Sequence, residues 1–102
     1  MNKKSNGNKK NYNPSALMSA FNYGKHWARR TGIADTRRVD RALSYLMSGE
    51  AEEKWEEYAT TTSRCDCPDH QFRGNFCKHI MSLMIEMKHD QIMNAEVWQR
   101  AA

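Results

Sequence analysis

All three cysteines of this 102-residue chain fall in one stretch, R-C-D-C-P-D-H-Q-F-R-G-N-F-C-K-H-I, from Arg64 to Ile80, together with two of its four histidines. On an extended strand, side chains alternate between faces, so Cys65 and Cys67 would point to the same side. Pro68, Asp69 and Gly74 mark a turn or hairpin that brings the chain back. Cys77 and His79 then fall at the start of a helix, where unpaired backbone N–H groups favour a thiolate. Three sulfurs and an imidazole converging in this way form the ligand set of a closed, tetrahedral structural zinc site. Soft donors of this kind disfavour magnesium and calcium, which take oxygen. Two other readings of the cluster are an iron–sulfur centre and buried thiols without metal. His70 offers a competing C-x-C-x-x-H triple that would displace His79; otherwise its ring packs in an apolar slot or donates to a ligand.

The full pattern C-x-C-x9-C-x-H, with C-P-D before the turn and C-K-H-I after it, closely resembles the SWIM-type zinc finger. The resemblance runs from Arg37 to about Lys88. It implies one zinc ion, held by Cys65, Cys67, Cys77 and His79. It also implies a partner, since the family is associated with DNA-linked proteins and, elsewhere, with protein-binding adaptors. His70 departs from the family pattern, which often has an aromatic or apolar residue there.

Around this motif the sequence predicts an α+β fold: a small zinc-stabilised domain in which a β-hairpin leads into a helix, preceded by one or two helices. Residues 1–12 are Asn, Lys, Gly and Ser with no apolar residue between Met1 and Tyr12, which reads as a disordered basic tail. Residues 13–34 form a helical segment, with Asn13 as cap, Pro14 in the first turn and Gly32 as stop. Leu17, Phe21 and Ala28 recur there at helical spacing, with Ala20 and Trp27 beside them. Gly24 weakens this helix by about 1 kcal/mol relative to alanine. Residues 35–98 form the finger domain. In it, Asp35 or Thr36 caps a helix whose stripe is Val39, Ala42, Leu43 and Leu46, ending at Gly49. The β-branched run before Cys65 predicts a strand at roughly 54–64. A last helix runs from near Cys77 to about Trp98, with Ile80 and Met84 facing the core. Met81 and Ile85 lie at its edge or against the first helix. His26 and His89 read as surface histidines.

Charge is divided unevenly. Residues 1–41 carry ten Lys/Arg and two Asp, residues 42–102 six Lys/Arg and ten Asp/Glu, so +8 and −4 make the net +4. A basic half of this kind points to a polyanion. Lys25, Arg29, Arg30, Arg37, Arg38, Arg41, Arg64, Arg73 and Lys78 are the candidate nucleic-acid contacts, with Tyr12, Tyr23 and Trp27 interleaved as aromatics that stack on bases or pack inward. The alternative is an adaptor that binds protein through the Met-rich last helix. A closed four-ligand site leaves no position for water or substrate, and no nucleophile–base pair or phosphate-cradling loop accompanies it. The expectation is therefore a binding protein, not an enzyme, with no small-molecule substrate.

A chain this short, with a mean hydropathy of −0.92, buries little surface and needs a crosslink or metal. It has no membrane-spanning run and no secretory apolar core, so it reads as cytoplasmic. In a reducing compartment three cysteines call for a metal rather than disulfides.

Overall fold

A computed structural model describes residues 11–101, with side chains to Ala95. The basic tail expected over 1–12 therefore lies outside the described residues up to Lys10. Tyr12 is half-buried, edge-on to His89 at 5.1 Å between ring centroids, and its hydroxyl bonds Glu86.

Among the described residues there are five helices: α1 (Pro14–Thr31), α2 (Thr36–Ser48), α3 (Ala51–Glu57), α4 (Pro68–Arg73) and α5 (Lys78–Ala101). The first two start and stop at the residues their sequences designate. Asn13 accepts from the Ala16 N–H and Asp35 from the Arg37 N–H, each at 2.9 Å, satisfying donors that a helix start leaves unpaired. Gly32 (φ 72°) and Gly49 (φ 86°) take the left-handed conformation and donate back to Ala28 and Leu46.

The α+β expectation is overturned: the described residues are helical, with no strand and no hairpin. Two local signals account for the difference. Ala51–Glu57 is a helix because Glu52 and Glu53 sit in its first turn, where negative charge complements the backbone dipole. The threonine run beyond it is a loop in which hydroxyls bond nearby groups instead of supporting a ladder. Thr61 Oγ1 accepts from the N–H groups of Ser63 and Arg64, and Thr60 Oγ1 lies 3.2 Å from Cys65 Sγ. Likewise the supposed hairpin turn is α4, with Pro68 at its first position and Gly74 (φ 73°) closing it onto the His70 carbonyl.

Helix α5 is the spine, packed along both α1 and α2, with α3 against its side. Leu17, Ala20, Val39, Ala42 and Leu46 meet Met81 and Ile85 in the core. Met81 (0% exposed) and Ile85 (1%) are at its centre, whereas Met84 is half-buried. Of the two alternatives for Met81 and Ile85, the edge of the core or the first helix, the second holds. Gly24 explains why. It is buried on α1, and its α-carbon approaches closely enough that a Cβ would stand 3.5 Å from Val39 Cγ1 and 3.6 Å from Ile85 Cγ1. The inward face of α5 continues at i+8 to His89, which is 3% exposed and not a surface residue. Its Nε2 accepts from the Asn13 N–H at 3.1 Å and its Nδ1 lies 3.0 Å from Asp90. His26 is exposed, as expected. Among the described residues no helix is long and apolar enough to cross a membrane.

Candidate metal centre

A second, smaller cluster lies at the head of α5: Cys65, Cys67, Cys77 and Ile80, with Tyr58, Phe76 and Met84 packed on it. Cys65 closes the loop after α3, where the Asp66 N–H donates to the Tyr58 carbonyl at 2.9 Å. Cys67 is the extended residue (ψ 154°) immediately before α4, so its side chain turns inward as the helix starts. Past Gly74 the chain returns, and Cys77 and His79 flank the first residue of α5. The Cys77 carbonyl accepts from the Met81 N–H at 3.0 Å, so this ligand is built into the helix start.

The four ligand atoms lie within 4.8 Å of one another, and all four residues are buried. His79 Nδ1 stands 3.8 Å from Cys65 Sγ and 3.7 Å from Cys77 Sγ. A tetrahedron with Zn–S of about 2.3 Å and Zn–N of about 2.0–2.1 Å has edges of roughly 3.6–3.8 Å. The Cys3His set therefore fits one structural zinc ion in both chemistry and spacing. Burial pushes the Cys65 thiol above its ordinary range and the Cys77 thiol up to about 12, with the neighbouring sulfurs adding to the latter. Burial also holds His79 below its usual value, helped by Lys78 and Lys54, which keeps its ring neutral. Metal-free, the Cys65 and Cys77 thiols hold their protons beside a neutral His79 imidazole.

Residues that the sequence reading did not single out hold this centre. The His79 ring lies 5.5 Å from Tyr45, edge-on, and 5.0 Å from Tyr58, tilted. Trp55 Nε1 donates to Ser82 Oγ (2.9 Å) and to the His79 carbonyl (3.1 Å), pinning α3 to the ligand-bearing turn. The signal for Trp55 was an aromatic with an N–H in a glutamate-rich segment, obscured by reading that segment as the start of a strand. His70 is not among the four. Its Nδ1 donates to the Asn75 carbonyl at 2.9 Å and its ring tilts against Phe76.

The nine candidate basic residues separate into two groups. Arg38, Arg41, Arg73 and Lys78 converge on a groove of about 430 Å³ that Cys77, His79 and Asp69 also line. Asp69 pairs with both Arg38 and Arg73 at 3.3 Å, and Lys78 Nζ stands 4.7 Å over the Tyr45 ring. The other five lie elsewhere. Lys25 pairs with Asp40, Arg37 with its own cap Asp35, and Arg64 reaches Asp66 at 4.0 Å. Arg29 and Arg30 are exposed in the last turn of α1. Of the aromatics considered for stacking, Trp27 packs inward on Phe76, Tyr12 packs on His89, and Tyr23 is exposed beneath Lys88.

Residues 49–88 match the family model of the SWIM zinc finger, a span that begins at the glycine closing α2 and ends within α5. Neither a curated protein nor a solved structure matches the chain.

Proposed function

We propose that this SWIM finger and the helix before it together make a nucleic-acid-binding module that grips phosphates and carries out no chemistry. What supports the reading is the groove beside the metal ligands. Arg38 and Arg41 come from α2, Arg73 from α4 and Lys78 from α5, so residues far apart in sequence place their charges on one concavity. Four cations against Asp69 leave a surplus of three. A zinc ion with three thiolates and a neutral imidazole carries −1, so compensation of the metal centre leaves two positive charges over. Arg41 makes no ion pair with any other described residue, and Lys78 is held in place by Tyr45. These two are the ready phosphate contacts. Four protein ligands close the coordination shell, which is the arrangement of a structural metal.

The adaptor reading keeps little of its surface. Met81 is buried and Met84 half-buried, which leaves Met87, at 53% exposure, as the outward methionine of the described part of α5. The deciding experiment is a binding titration of the zinc-loaded protein with generic DNA and RNA across a salt series. Affinity should fall linearly on a log–log plot, and Arg41→Gln with Lys78→Gln should flatten the slope by about 0.7–0.9 per contact removed. Salt-independent or undetectable binding to every nucleic acid would overturn the reading.

A further inference from the structure

Among the described residues, Phe72 is the most outward of the large apolar side chains, at 89% exposure. A single exposed aromatic is ordinary on a protein surface. This one is set apart by how its helix is held. Asp69 is clamped between Arg38 and Arg73, His70 bonds the Asn75 carbonyl, and Gln71 reaches the Cys65 carbonyl at 3.4 Å. The metal ligands Cys67 and Cys77 stand on either side of the helix in the chain. Helix α4 is thus tied down along its length, and it presents a free aromatic ring one residue before Arg73, a wall of the cationic groove.

Resting on the nucleic-acid reading above, we infer that the finger binds unpaired nucleic acid, with phosphates in the Arg38–Arg41–Arg73–Lys78 groove and a base stacked on Phe72. The cationic groove selects a polyanion, and the exposed ring one residue from Arg73 offers the π-face that unpaired bases take up without sequence preference. A duplex uses its base faces internally and has none to give to Phe72. The rigid mounting limits the entropy lost on ordering the ring, which favours affinity.

The test compares zinc-loaded wild type, Phe72→Ala and Phe72→Tyr on three labelled probes: a 15-nucleotide oligo-dT, an abasic strand of the same length, and a duplex. Because Phe72 is exposed, all three proteins should fold and hold zinc equally, which metal analysis checks. Wild type should favour oligo-dT over duplex. Phe72→Ala should weaken oligo-dT binding about 5- to 150-fold, the equivalent of about 1–3 kcal/mol of base–aromatic stacking. Abasic and duplex binding and the salt slope should stay unchanged, and Phe72→Tyr should restore oligo-dT. Equal affinity of wild type and Phe72→Ala for oligo-dT would overturn the stacking while leaving the phosphate groove standing, as would an equal loss on the abasic strand. No binding of wild type to any probe would overturn both and assign the ring to a protein partner.

Discussion

Trp27 stacks on Phe76, with ring centroids 5.6 Å apart and planes 26° from parallel, and Phe76 immediately precedes the metal ligand Cys77. Phe76 and Met84 touch both the helical core and the cysteine cluster, so the two hydrophobic units share walls. The Phe76 N–H also donates to the Ile33 carbonyl at 3.2 Å, which fixes the loop that follows α1 to the strap leading into α5. The first helix, which lies outside the matched finger, is therefore mechanically part of it.

This coupling makes Phe76→Ala costly for both metal retention and folding. A buried Phe→Ala change typically loses about 3–5 kcal/mol. Half-burial brings the expected loss here to about 2–3 kcal/mol, read as a lower denaturation midpoint of the zinc-loaded protein. Zinc transfer to a chelator should accelerate in the same variant. A finger indifferent to α1 would instead leave the transfer rate unchanged in Phe76→Ala and in Trp27→Ala.

Cys67→Ser and His79→Ala should each release the metal, whereas His70→Ala should keep one zinc per chain. The difference follows from position: His70 Nδ1 is spent on the Asn75 carbonyl, while His79 Nδ1 faces the sulfurs. Because metal and ligands stabilise the fold together, chelation should also lower the unfolding midpoint, with the 58–79 segment loosening first. Metal analysis and circular dichroism of the three variants check this. Zinc lost from His70→Ala and retained in His79→Ala would reverse the assignment.

What the sequence made legible was chemistry and helix punctuation. The ligand set followed from donor type and spacing, and the caps at Asn13, Gly32 and Gly49 followed from residues with a single strong preference, while Asp35 was one of two candidates with Thr36. The strand and hairpin failed because β-branched propensity depends on context: Thr60 and Thr61 have hydroxyls that bond within the loop, and the metal, not a ladder, organises that segment. The inward face of α5 was misjudged because His89 was set aside as polar. Counted as an interior residue, it continues the line of Met81 and Ile85. The groove itself was out of reach, since it depends on how α2, α4 and α5 meet in space.

The metal-free protein should be stable only in a middle pH window. Folded His79 has a depressed pKa, so as pH falls below its ordinary 6.5 the unfolded chain takes up a proton that the folded one refuses, and stability drops. Folded Cys77 has a raised pKa of about 12, so above its ordinary 9.0 the unfolded chain loses a proton that the folded one keeps, and stability drops again. Zinc uptake at neutral pH must then displace the thiol protons of Cys65 and Cys77, and weaken as the solution is acidified. A weakly buffered titration with an indicator dye should register this release. Uptake without proton release would mean that the sulfurs are already thiolates.

Gly24 offers a test of the helical core that leaves the metal alone. Its φ is ordinary for a helix, and a β-carbon there would meet Val39 Cγ1, Ile85 Cγ1 and Met81 Cε at 3.5, 3.6 and 3.9 Å, which is normal contact. The space thus takes one methyl and no more. Gly24→Ala should stabilise the protein by about 0.5–1 kcal/mol, because glycine in a helix interior loses that much to alanine through backbone entropy. Gly24→Leu should cost about 1–3 kcal/mol, since the extra carbons must push apart the crossing of α1 on α2 and α5. Thermal unfolding of the zinc-loaded variants measures both. A destabilised Gly24→Ala would mean that the helices cross more closely than these distances allow.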